Sequence, residues 1–396
     1  MKKTVALLIV IVLCLSLAAC NGKSDTPAPA GSSAPASGGT SQAPAPAAPG
    51  TPQGYLDDDV DHYARDTYEF VYTCETFGFL QQALFSGMQA CEKRFNVHMT
   101  NVNSEGSQDT YLTNLELIGT RGFDGAIVDC PPAIQVRAIE LLNDSKVPYI
   151  GFFNTLLGAD GKAVSPNVTN NNYSAGRMPA QWLADHYKEY MGDIDTSKLG
   201  FLYIGVSTSP DLLSRSVGVE DVFNEYFSDG QFFWVDAASG GTTNLMSEEL
   251  GYNLSIATIN AHPEVEYWLM NSCLEFYGPG ASRALEEVGK TTKNALVCVM
   301  GHGAQVADWG SMSDDTMSVN VACWIIHDFE MTYPAVVGLI ALLDGRSTKE
   351  TLWQERTPPN YVYGNDFGVW EVSGNIVTRQ TYKAYLADIE AQIAAM

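Results

Sequence analysis

Positive charge is scarce in this chain. Its 396 residues carry 22 Lys and Arg against 46 Asp and Glu, a formal charge of −24. Nucleic acid is recognised by clustered cations, so it is excluded as a partner. Adhesion to an anionic lipid surface by charge is excluded for the same reason. Closely spaced cysteines are missing too: there is no C-x-x-C, and Cys74, Cys91, Cys130, Cys273, Cys298 and Cys323 are scattered. Zinc sites and redox dithiols space their cysteines tightly, so neither is supported. Several of these cysteines sit in apolar runs such as ALVCVMG, which favours buried free thiols over disulfides. Catalytic signatures are absent as well. The chain has no G-x-S-x-G, H-E-x-x-H or G-x-x-x-x-G-K-S/T, and Gly278-x-Gly280 and Gly301-x-Gly303 lack the third glycine of a dinucleotide fingerprint. No cofactor, metal or catalysis is expected.

The longest apolar run comes first. MKKTVALLIVIVLCLSLAAC has two lysines, an apolar stretch and small residues before Cys20. That is a secretion signal, too short and wrongly flanked for a membrane span. Its end, Leu17-Ala18-Ala19-Cys20, resembles a bacterial lipobox, in which the cysteine is the lipid attachment site; a plain signal peptide is the alternative. Residues 21–58 are Ala, Pro, Gly and Ser with little to bury, and are expected to form a disordered tether. The expected location is therefore extracytoplasmic, lipid-anchored to the bacterial membrane.

From Asp66 onward, short β-rich runs alternate with helical periodicity. YEFVYT reads as a strand, and Leu80, Leu84, Met88, Cys91 and Phe95 recur on one helix face. VHMTNV and FDGAIVDC are strands around a helix marked by Leu112, Leu115 and Ile118. Pro131-Pro132 opens a helix, and VPYIGFF follows as a strand. The plan then restarts from Tyr173, with LGFLYIGV, QFFWVDA, VEYWLMNS and ALVCVMG as strands separated by helices. Strands apolar on both sides and alternating with helices imply parallel sheets covered on both faces. The expected fold class is α/β, with two doubly wound parallel-sheet lobes.

In open α/β sheets, ligands sit beyond the carboxyl ends of the strands. Those ends carry Phe77, Phe79, Asp129, Asn154, Arg215, Asn271 and His302. Rings stack on the flat apolar faces of sugars, while Asn, Asp and Arg make paired hydrogen bonds to hydroxyls, so this set suits a neutral polyhydroxyl compound. Each residue also has a plainer reading. Phe77 and Phe79 could be core, and Arg215 could pair with Glu220 or Asp221. Asp129 could cap the helix after Pro131-Pro132, Asn271 could only finish its strand, and His302 could be a satisfied loop residue. Asp129 and Asp236 fall in different lobes, which argues against a glycosidase pair. The stretch NVTNNNYSAGRMPAQWL adds three asparagines before a helix. Asn172 is expected to be its N-cap, with Asn170 or Asn171 at the lobe boundary and one amide, Asn171, on the ligand.

Several of these stretches resemble the periplasmic sugar-binding proteins of the ribose/galactose type, the substrate-binding components of ABC importers. FDGAIVDCPPAIQVRAIELLNDSKVPYIGFFN is similar to the family's strand–helix–strand passage. NNNYSAGRMPAQWL looks like its Asp-Asn-x-x-x-Gly hinge stretch, SRSVGVEDVF like its Arg-x-x-Gly-Phe helix, and AHPEVEYWLMNS like its His-Pro-Asp strand entry. The resemblance covers roughly residues 66 to 345. It implies a type I periplasmic binding protein-like fold whose lobes, 66–170 plus 326–350 and 171–325 plus 351–396, are joined by a three-crossover hinge. It further implies a monomer that holds a small-molecule ligand, expected to be a sugar, between lobes that close on it. The ligand would pass to an ABC permease, with the lipid on Cys20 as the only membrane contact; a sensor reporting to a membrane receptor is the alternative. The chain also departs from the pattern. Phe153-Asn154 replaces Asp-Arg, His302 replaces a carboxylate, and Asn271-Ser272 replaces Asn-Asp. Those losses favour an aromatic-stacked, modified or larger ligand over a plain monosaccharide.

Overall fold

The structure is a computed structural model. It describes residues 60–239, 244–301, 303–313, 318–359 and 361–395. Cys20, the leader, the tether and His302 lie outside the described residues.

Five strands open the described chain: β1 (Tyr68–Cys74), β2 (Val97–Asn103), β3 (Gly125–Val128), β4 (Tyr149–Phe152) and β5 (Asn167–Asn170). Helices α1 (Phe79–Gln89), α2 (Gln108–Ile118) and α3 (Gln135–Ser145) connect them. Helix α4 (Asn172–Met191) leads into a second set. That set runs β6 (Leu199–Gly205), α5 (Pro210–Tyr226), β7 (Gln231–Asp236), α6 (Glu248–Ala261) and β8 (Tyr267–Ser272). It continues through α7 (Tyr277–Glu287), β9 (Ala295–Met300), α8 (Gly303–Ser311) and β10 (Asn320–Ile325). The chain ends with α9 (Asp328–Leu343), β11 (Val369–Val372), β12 (Asn375–Thr378) and α10 (Tyr382–Ala394).

Two six-stranded sheets result, ordered β11-β5-β4-β3-β1-β2 and β12-β10-β9-β8-β6-β7. Strand pairing is parallel in both, except that β12 runs antiparallel to β10. The period-2 pleat sorts the first sheet's side chains between two cores. Phe70, Tyr72, Ile127 and Ile150 pack with Leu84 and Met88 of α1 and Val336 and Ile340 of α9. Val71, Ala126 and Val128 pack on the other face with Tyr111 and Leu115 of α2 and Leu142 of α3. Helix α9 is buried continuously from Pro334 to Ala341; a helix apolar all round has to be enclosed. All six described cysteines are buried and free.

The chain passes between the lobes three times: from β5 to α4, from β10 to α9, and from β11 to β12. The second and third passages meet at Trp324, whose indole N–H donates to the Ser373 carbonyl at 2.9 Å. Gly374 lies against that indole with φ 68°, and a Cβ there would sit 2.3 Å from a ring carbon, so only glycine fits. The stretch 351–396, expected in the second lobe, divides between the two. β11 pairs with β5 in the first sheet and β12 with β10 in the second. Both are short edge strands with four residues each, and each finds its exposed ladder on a different sheet.

Helices α4 and α5 cross closely because two glycines let their backbones touch. A Cβ on Gly176 would lie 1.9 Å from the Arg215 carbonyl oxygen. Gly176→Ala should force the helices apart and destabilise the fold by about 2 kcal/mol, the middle of the overpacking range. Urea unfolding of both proteins checks this.

Candidate functional site

The first lobe's contribution is built on Asp129, which follows β3. Its backbone N–H donates to the Thr73 carbonyl at 3.0 Å, and Tyr111 donates its hydroxyl to the Asp129 carbonyl at 3.1 Å. With the main chain fixed, the carboxyl receives Asn154 Nδ2 at 2.8 Å and the Tyr72 hydroxyl at 3.4 Å. Asn154 reaches it because Phe153 takes φ 63°, a conformation rare for a bulky residue. The helix after Pro131-Pro132 has no side-chain cap, so Asp129 does not cap it. Burial pushes the Asp129 carboxyl up to about 6, against the donors Asn154, Gln81 and Tyr72 that favour its ionised form. Half-buried Phe77 meets Phe85 edge-on at 5.9 Å, and Phe85 in turn stacks on Tyr72 at 6.3 Å. Phe77 thus continues the first-lobe core toward the strand ends. Phe79 opens α1, but its side chain lies outside the described residues.

The second lobe offers Arg215, only 6 % exposed. Its Nε donates to Asn172 Oδ1 at 2.8 Å and its Nη1 to the Cys273 carbonyl at 2.6 Å, with Met300 Sδ at 3.6 Å. Neither Glu220 nor Asp221 pairs with it. Asp221 instead accepts the Tyr173 hydroxyl at 2.8 Å, and no carboxylate of the described residues lies within ion-pair distance of Arg215. Burial pulls its pKa down, yet a guanidinium stays charged. A buried cation without a counter-charge is costly unless something else completes its shell.

The three asparagines each have a separate job. Asn170 donates its Nδ2 to Asn172 Oδ1 at 2.9 Å, so Asn172 accepts from both Asn170 and Arg215 and links the hinge to the cation. Asn171, not Asn172, is the N-cap of α4: its Oδ1 accepts the Ser174 N–H at 2.8 Å. The Asn171 Nδ2 donates to Glu371 Oε2 at 2.9 Å. The fold thus uses one N–H and one oxygen lone pair of the half-buried Asn171 amide, out of the two that each end carries. Asn271 serves the fold as well. It is fully buried, donates to the Gly176 carbonyl at 3.1 Å, and accepts from the Ser272 N–H. Asp236 also serves the fold, accepting the Ser207 hydroxyl at 2.6 Å and the Ala238 N–H at 3.0 Å.

Sequence reasoning missed Asp328. It opens α9 just beyond β10, and burial together with nearby Glu275 pushes its carboxyl up to about 6. Reading NVACWI as a strand would have exposed it, since the strand-end rule then points to the next residues.

The chain belongs to the periplasmic binding protein family: the model of the periplasmic binding protein domain matches residues 70–347. It is a binding protein rather than an enzyme, and the family works outside the cytoplasm. Among the described residues, no helix is long and apolar enough to cross a membrane. No curated protein sequence matches the chain. Solved structures share the fold at low identity. An arabinose-binding protein from Geobacillus stearothermophilus matches with TM-score 0.60 at 16% identity, over 81% of this chain and 99% of its own. A sugar-binding protein of a sugar ABC transporter from Bacillus halodurans reaches 0.62 at 13%, over 81% and 100%. A periplasmic ribose ABC transporter protein from Conexibacter woesei reaches 0.61 at 14%, over 82% and 96%.

Raised carboxyls have a signed consequence. Asp129, at about 6 in the folded chain against about 3.9 unfolded, contributes stability that is complete below the unfolded value. That contribution is lost as the pH rises through 6. Asp129→Asn cannot titrate, so urea unfolding across that interval should show a shallower decline than the parent.

Proposed function

We propose that the chain binds a neutral polyhydroxylated solute, a sugar or cyclitol, between its lobes and delivers it to an ABC permease. The observation that carries this reading is Arg215, a buried cation with no carboxylate partner, set at the second lobe's strand ends. Hydroxyl oxygens complete a guanidinium shell without adding charge, and hydroxyl protons suit the carboxylates of Asp129 and Asp328. An anionic ligand would satisfy Arg215 but would be repelled by those carboxylates. Phe77 supplies an apolar edge on the first lobe, with Asn154 beside Asp129. The neighbours named for arabinose and ribose support the carbohydrate class, as do two others solved with bound D-allose and myo-inositol.

The protein is held to the membrane by lipid on Cys20, a reading supported by the leader and its small-residue ending. Cys20→Ala should move the protein from the membrane fraction to the soluble exported fraction.

Thermal unfolding against pentoses, hexoses, oligosaccharides, cyclitols, nucleosides and amino acids tests the ligand class. A ligand at about 1,000 times its dissociation constant adds about 4 kcal/mol of stability. Arg215→Ala should lose at least about tenfold in affinity, since a charged hydrogen bond contributes about 1.5–3 kcal/mol. A shift seen only with nucleosides or amino acids would overturn the carbohydrate class.

A further inference from the structure

The family match ends at residue 347, and the chain beyond it does more than supply two edge strands. Leu352 and Trp353 anchor this segment in the first-lobe core. Ala163 N–H then donates to the Tyr363 carbonyl at 2.9 Å. The Tyr361 hydroxyl lies 3.0 Å from Thr155 Oγ1, next to Asn154. Tyr361 and Tyr363 pack as a perpendicular pair, with centroids 5.6 Å apart at 84°. Both are thus positioned by the first lobe, beside its ligand-facing groups.

From there, the Tyr363 hydroxyl reaches the other lobe. It donates to Asp211 Oδ1 at 3.5 Å. Asp211 lies in the first turn of α5, one turn before Arg215, so the contact lands beside the buried cation. The distance is long for a hydroxyl on a carboxylate, which settles at about 2.6 Å. Between the two tyrosines, Val362 is 81 % exposed, so the segment runs at the surface while its rings turn inward.

We propose that Tyr361 and Tyr363 complete the ligand site as a clasp. Their rings form an aromatic wall supplied from outside the matched stretch, and the Tyr363–Asp211 contact fastens the lobes across the cleft. The clasp rests on the reading of this cleft as a solute site. It selects for ligands with a flat apolar face and tightens as the lobes close. It also replaces, with rings, part of the polar grip lost where Phe153-Asn154 stands in place of Asp-Arg.

Small-angle X-ray scattering of the exported protein without ligand tests the clasp independently of what the cleft binds. Tyr363→Phe and Asp211→Ala each remove the contact. Each should enlarge the radius of gyration, roughly 20 Å for a domain of this size, by about 1 Å. The double variant should add nothing to either single change, because one contact is broken in all three. Circular dichroism and a cooperative melt confirm that each variant is folded. Equal radii for the parent and both single variants would overturn the clasp, as would additive increases in the double variant. Silence of the compound panel on the parent would count against the carbohydrate reading and leave the scattering result to decide the clasp.

Discussion

Two carboxylates hold the place where the chain goes back and forth. Glu371 takes the Asn171 amide at the first passage. Glu330 takes its own helix's N-cap backbone at 2.9 Å, the Tyr385 hydroxyl at 2.6 Å and the Asn375 amide at 3.4 Å, at the second and third. Half-buried polar groups of this kind are strong when every lone pair is used and expensive when one is left over. The rest of the molecule inherits its geometry from them. Once Asn171 is fastened, it caps α4 and sets the direction of that helix. The direction brings Gly176 against the Arg215 backbone, and the Arg215 side chain then lands on Asn172. The cation's position is thus a consequence of the hinge, not of its own helix alone.

The charge distribution follows a similar logic. The chain as a whole is strongly acidic, yet the buried groups around the strand ends are one permanent cation and carboxyls whose burial opposes ionisation. In the proposed site an anion would meet one cation but also the carboxyls of Asp129 and Asp328. The site has many directional donors and acceptors instead, which is the arrangement that discriminates among hydroxyl stereochemistries. Aromatic edges supply the non-directional part of the attraction.

The strands were legible wherever apolar residues fill both faces, as in YEFVYT, LGFLYIGV and ALVCVMG. Those runs are long and uninterrupted because helices cover both sides. Less was legible where tertiary partners decide. NVTN forms β5 only because β4 and β11 flank it. The run AVVGLIA became an enclosed stretch of helix, with no polar face to reveal its period. Three adjacent asparagines showed that a hinge was near, but not which of them caps. Any of the three satisfies the local chemistry, and Glu371, two hundred residues later, selects Asn171. Arg215 and Asp129 were legible as candidates because strand ends are a topological rule. Asn271 shows the rule's limit, since a strand end can turn its side chain toward a neighbouring helix. The tail was assigned whole to the second lobe because β11 and β12 are too short to show which sheet each one joins.

The placement of β11 and β12 also bears on the order in which the protein can fold. Val369 pairs with Asn167, and Asn375 with Ile325, so the last strands to be made close the edges of both sheets. Contacts that join distant parts of a chain are slow to form, and here neither half can be finished early. One edge of each sheet therefore stays open until nearly all of the chain exists. For a protein that works beyond the cytoplasm, this late closure leaves a thread that export can still pull through.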